Sequence, residues 1–191
     1  MNFAVEGDPL IRAKEMRQLA RVYHALGFNI VPLGADKRPV KTGVSPNGKP
    51  WRFLWDEWQN LRQSADDLKR ILAPAWWTDV YGIAGICGFN GFACLDFDSR
   101  HKHNPDADGI PIDVPRRFAD ELGITDPWLV KTPSQAWHLW MQTDDIQTLK
   151  GKLDRLMPDE PTVDHVELRW FGHYVALPGS HHPRGDYEFA I

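Results

Sequence analysis

Residues 93–100 read ACLDFDSR, and two carboxylates at the end of this apolar run set how the chain is read. Asp96 and Asp98 stand one residue apart, interleaved with Leu95 and Phe97. In a strand, residues i and i+2 point to the same face. Asp96 and Asp98 therefore share a face, and Leu95 and Phe97 point the other way, into a core. Two negative charges at this spacing repel unless something positive lies between them. A hard divalent cation such as Mg²⁺, which takes oxygen ligands, is one candidate. The alternative is that Asp98 and Ser99 merely begin a loop or cap a helix.

Working outward, YGIAGICG (81–88) and GFACLDFD (91–98) are apolar runs joined through Phe89 and Asn90, and they read as a hairpin. Upstream, GDPLIRAKEMRQLARVYHALG (7–27) is a helix with both ends marked: Asp8 caps, Pro9 fits the first turn, and Gly27 stands past the end. FNIVPLG (28–34) is a short strand. Residues 35–50 are rich in Lys, Gly and Pro, and read as a long basic loop with no element of its own. WRFLWDEWQNLR (51–62) is ambiguous, and Ser64 with Asp67 forms a capping-box variant that opens a short helix.

Downstream come a polar loop (99–112), a helix DVPRRFADELG (113–123), and strands PWLVKTP (127–133) and AWHLWMQT (136–143). An amphipathic helix (144–157) follows, and then DHVELRW (164–170) and HYVALPG (173–179), read as a closing hairpin around Phe171 and Gly172. This order predicts an α+β fold, with a mainly antiparallel sheet carrying helices on one face. The expected organisation is one domain over 1–191, with an N-terminal lobe to about residue 80 and a sheet lobe from 81 to 191. GDYEFAI ends without a tail, so a fragment of a longer protein is expected.

Composition narrows the class. Of the 191 residues, 42% are apolar and 25% charged, as in a globular protein. The nine tryptophans are many for this length, and most should fill a core or line a groove. No apolar run is long enough to span a bilayer, and the N-terminus lacks a signal-peptide pattern. The two cysteines, Cys87 and Cys94, read as reduced core residues of a cytoplasmic protein. A net charge of −4 argues against coating duplex DNA with the whole surface, but it leaves room for a local basic groove.

Other residues bear chemistry. In DHVELRW, His165, Glu167 and Arg169 share one face, and Val166 and Leu168 the other. Glu167 is a candidate third metal oxygen, and Arg169 a candidate phosphate fork; the alternative is an ion pair on a solvated sheet face. His138, mid-strand between bulky residues, is either a structural histidine or a ligand contact. Ser134 precedes it in a turn able to receive an anion. PGSHHPRGDY brings Ser180, His181, His182 and Arg184 into a loop that holds either phosphate oxygens or nothing. Zinc at the HKH cluster (101–103) and the His181–His182 pair is disfavoured by the lack of cysteines and of helical spacing. Together, three carboxylates with a histidine, an arginine and hydroxyls are the equipment of phosphoryl or nucleotidyl transfer.

These residues resemble the motifs of the archaeo-eukaryotic primase superfamily, in its primase-polymerase branch. ACLDFD is similar to the strand ending in D-x-D. Ala136-Trp137-His138 is similar to the small-x-His motif, and Val166-Glu167 to the apolar-acid motif. Lys37 with Pro39 resembles an early Lys-x-Pro element, and the closing segment with its Pro/Ser/His loop is also similar. Branch members often carry Ser-Gly-Gly-x-His where this chain has Ser134-Gln135-Ala136-Trp137-His138.

The resemblance implies an RRM-like sheet flanked by an N-terminal α/β lobe, and DNA primase or polymerase activity. It implies Mg²⁺ or Mn²⁺ held by Asp96, Asp98 and Glu167. His138 and Arg169 would contact the incoming dNTP or NTP, aided by Ser134, Ser180 and His182. Lys37 and the loop 36–49 would meet nucleotide or a single-stranded DNA template and primer. A helicase or accessory domain is a candidate partner in a longer protein, and no membrane is involved. A metal-dependent nuclease and a non-catalytic nucleotide- or single-strand-binding module are the alternatives.

Overall fold

In the computed structural model of the chain, which describes residues 8–44, 46–99, 109–156 and 162–190, the first helix starts where the sequence marks it. Helix α1 (Pro9–Ala25) is capped by the Asp8 side chain, which accepts from Leu10 N. It buries Ala13, Met16, Ala20 and Tyr23, spaced to form one face. Helix α2 (Ala65–Leu72) has the expected reciprocal capping box between Ser64 and Asp67. Strand β1 (Ile30–Leu33) is fully buried. Within the stretch 35–50, expected to be only loop, β2 (Lys41–Val44) forms, and it pairs as a two-stranded hairpin with β3 (Pro50–Arg52), which runs into the stretch read as ambiguous. They are short and interrupted by Gly43, so no alternation announces them.

Strand β4 (Gly82–Ile86) pairs with β1, and strand β9 (Tyr174–Ala176) with β4, giving an antiparallel three-stranded sheet ordered β1-β4-β9. The larger sheet is built from β5 (Phe92–Ser99), β6 (Trp128–Lys131), β7 (Trp137–Gln142), β8 (Val163–Arg169) and β12 (Glu188–Ala190). Its order is β12-β6-β7-β5-β8, antiparallel throughout. Helix α3 (Asp113–Leu122) lies between β5 and β6 in the chain, and α4 (Ile146–Leu156) between β7 and β8. This is a β-α-β-β-α-β unit with the RRM-like strand order. Two short strands, β10 (His181–His182) and β11 (Gly185–Asp186), form a separate small hairpin.

The alternation along β5 sorts its two faces. Ala93, Leu95 and Phe97 join a core with Phe118 of α3 and Leu149 and Leu153 of α4. Cys94, on the other face, joins a second core with α1, β1 and β4. Cys87 and Cys94 are both buried and unbonded, and burial pushes both thiols up from their ordinary range.

Both expected hairpins are corrected. β4 and β5 lie in different sheets, and so do β8 and β9. Each tight Gly-containing turn is a crossover between sheets. The two crossovers pack on each other: Cys87 N donates to His173 O at 2.9 Å, and a Cβ on Gly88 would lie 3.0 Å from Phe171 Cα. Gly88 also has φ +88°, which favours glycine.

Candidate active site

Antiparallel register brings the separated motifs into one row. Asp96 on β5 stands opposite His138 on β7 and opposite Glu167 on β8. One pleat further along, Asp98 stands opposite His165. Residues directly opposite have Cβ atoms about 4.5–5.5 Å apart, so Asp96 and Glu167 face one another closely. The register slips between Asp98 and Ser99, which ends the regular row.

The positive charge between the carboxylates is Arg169. Its Nη2 and Nε lie 3.1 and 3.3 Å from Asp96 Oδ2, and its Nη1 lies 2.8 Å from Glu167 Oε1. His138 Nε2 lies 3.5 Å from Asp96 Oδ1, and His165 Nε2 lies 3.2 Å from Asp98 Oδ2. Burial acts to raise the Asp96 pKa, but hydrogen bonding and charge from His138 and Arg169 outweigh it and hold the carboxyl at about 2. His138 is buried, and its Nδ1 has no partner among the described residues.

The row opens on a cleft of about 370 Å³. Asp96, Asp98, His138 and Arg169 form one wall, and Lys37 stands in the cleft with Leu33 and Val175 of the smaller sheet. Lys37 is held at φ +60° in the turn that follows β1. Burial and the nearby Arg184 lower its pKa, against the pull of Asp96 and Asp98. Ser134 also lines the cleft, its Oγ 3.0 Å from Thr132 Oγ1. The neighbouring Gln135 has φ +58°, a conformation natural to the glycine that the resembling sequences often carry there.

Three expected residues are not on the cleft wall. Glu167, on β8, pairs with Arg169 but does not line the cleft. Ser180 is buried, and its hydroxyl accepts from Ile83 N at 2.9 Å and donates to Ile83 O at 3.0 Å, tying the loop to β4. His182 stands beside Lys37 and Arg184. Burial and these two cations push its pKa down to about 4, so its ring is neutral at pH 7. Two residues of the cleft, Tyr187 and His173, were not singled out from the sequence. The Tyr187 ring packs 5.5 Å from that of His138, and Lys37 Nζ lies 5.5 Å from its centroid. His101 and His103, of the disfavoured zinc cluster, lie outside the described residues.

The donor set suits a hard cation, since all three carboxylates offer oxygen. Among the described residues, however, no group of three or more Asp, Glu, His or Cys side chains stands close enough to hold a metal ion. Each carboxylate is turned instead to a protein cation or histidine. Arg169 stands as the cation between Asp96 and Glu167.

The sequence matches the family of the bifunctional DNA primase/polymerase N-terminal domain over residues 20–190, and the chain belongs to that family. The family brings a primase/polymerase-type nucleotidyl-transfer role, with DNA and nucleotides as substrates. No curated protein matches the chain. Among the described residues, no helix is long and apolar enough to cross a membrane.

Proposed function

We propose that the chain is a single catalytic domain for template-directed nucleotide addition, with Asp96, Asp98 and Glu167 as ligands of Mg²⁺ or Mn²⁺. The 3′-hydroxyl oxygen of a primer attacks the α-phosphorus of a nucleoside triphosphate. The bond from that phosphorus to the β-phosphate oxygen breaks, and pyrophosphate leaves. The metal ions, when bound, neutralise charge on the attacking and leaving oxygens.

The chain's own residues then divide the work. Arg169 releases Asp96 and Glu167 and turns its planar fork to the triphosphate. Lys37 supplies a second positive charge from the facing side of the cleft. His138 orients Asp96 and hydrogen-bonds the nucleotide, and Ser134 offers a hydroxyl to a phosphate oxygen. His182, neutral and off the cleft wall, flanks Lys37 and Arg184 and makes no direct contact with the nucleotide. Ser180 acts at one remove, by fixing its loop to β4.

The observation that carries this reading is the acidic row with a cation already between its members, open to a cleft that also holds a lysine. Such a row is costly to fold without a positive partner, and a metal ion held by Asp96, Asp98 and Glu167 would supply that positive charge.

A labelled primer on a longer single-stranded template tests it, with dNTPs and Mg²⁺ or Mn²⁺. The wild type should lengthen the primer. Asp96→Ala/Asp98→Ala should lose roughly a hundredfold or more, because metal electrostatics supplies several kcal/mol of the barrier reduction. Equal lengthening by the double variant contradicts the metal assignment, and shortening without nucleotides marks a nuclease.

A further inference from the structure

Segment 36–52 carries Lys37, Arg38, Lys41, Lys49 and Arg52 against a single acid, Asp36, in a chain of formal net charge −4. Its distal part is the β2–β3 hairpin, and on it Trp51 is 58% exposed. Trp77, Trp137 and Trp140 are buried, so leaving this indole in solvent is a departure from how the chain treats the residue type. The ring is nonetheless held. Trp51 pairs with Gly43, where a Cβ would come within 3.4 Å of Trp51 Cε3. Lys41 pairs with Arg52 in the same hairpin.

The hairpin is fixed to the rim of the cleft. Arg52 Nη2 lies 2.9 Å from Asp36 Oδ2, its Nη1 donates to Pro39 O at 2.8 Å, and Phe53 N donates to Val40 O at 2.9 Å. Asp36 adjoins Lys37, which stands in the cleft. Trp55, three residues past β3, meets cleft-lining Tyr174 edge-on at 5.1 Å. A basic, aromatic-bearing arm therefore leads to the acidic row.

Resting on the nucleotidyl-transfer reading above, we propose that the β2–β3 hairpin is a single-stranded DNA platform: Trp51 stacks an unpaired base, and Lys41 and Lys49 meet backbone phosphates. Charge selects the polyanion, because the local balance is positive where the whole chain is negative. The indole selects an unpaired strand, because a base face is available for stacking only when unpaired, and stacking is tolerant of sequence, as a template requires.

Anisotropy of a fluorescein-labelled dT 20-mer with the full chain, over a salt series, tests the platform. Trp51→Ala should weaken binding roughly five- to a hundredfold, and Trp51→Phe should keep most of it, since an aromatic face remains. Lys41→Ala/Lys49→Ala should lower the slope of log K against log salt by about 1.4. Circular dichroism of each variant checks that these exposed changes leave the fold intact. Wild-type affinity in Trp51→Ala, or an unchanged salt slope, overturns the platform. Binding of dATP by the wild type, titrated in parallel, separates the two readings. Nucleotide binding without oligonucleotide binding overturns the platform and leaves the cleft standing; loss of both removes the cleft reading as well.

Discussion

Asp96 is flanked by His138 on one strand and Glu167 on the other, and Arg169 reaches across to bind both carboxylates. That arrangement makes Arg169 the most informative single residue. Under the proposed mechanism it exchanges carboxylates for triphosphate, so Arg169→Ala removes a charge-assisted contact of about 1.5–3 kcal/mol. The expected result is a KM for dNTP raised roughly ten- to a hundredfold, with a smaller change in kcat. Steady-state extension kinetics measure it; an unchanged KM makes Arg169 only a structural ion-pair partner. The facing of Asp96, Asp98, His138, Glu167 and Arg169 was legible in the sequence, because strand alternation alone assigns each to a face. Tyr187 and His173 were not legible: each follows a turn, and tertiary packing rather than a strand period aims it at the cleft.

Among the elements, the two crossovers decide how the row becomes a site. A hairpin at Phe89 or Phe171 would keep β4 beside β5 and β8 beside β9. Crossing instead sends β4 and β9 to the smaller sheet and leaves β5 free to pair with β7 and β8. The sequence pattern is the same for both outcomes, two apolar runs around a glycine turn, which is why strands were legible and their partners were not. The βαββαβ order, by contrast, followed from the order of strands and helices. Gly88 is where the two crossovers touch. Gly88→Ala places a side chain at φ +88° and within 3.0 Å of Phe171 Cα. Stability should fall by about 2–4 kcal/mol, from the left-handed backbone plus overpacking. Urea unfolding reads this directly, and a loss below about 0.5 kcal/mol would mean that the crossovers do not press on one another.

At the scale of the whole molecule, one face of β5 runs from core to cleft. Cys94 is sealed in the core with α1, β1 and β4, whereas Asp96 and Asp98, further along the same face, open to the cleft. Burial of His182 beside two cations also gives the molecule an acid-side weakness. His182 is held at about 4, below its ordinary 6.5, so the unfolded chain binds the proton more readily. Its contribution to stability is present above about pH 6.5 and is lost as pH falls toward 4. Asp96, held at about 2 against an ordinary 3.8, contributes above pH 3.8 and loses that contribution as pH falls through 2. Thermal midpoints should therefore decline from pH 7 to pH 4, less steeply in His182→Gln; equal slopes contradict the assignment to His182. That the acidic row paired with Arg169 is a divalent-cation site is most directly tested by titrating Mn²⁺ and following the free ion by electron paramagnetic resonance. The wild type should bind Mn²⁺, Asp96→Asn/Asp98→Asn should lose at least about tenfold in affinity, and Arg169→Ala should bind more tightly than the wild type. Equal Mn²⁺ binding by all three proteins would contradict it.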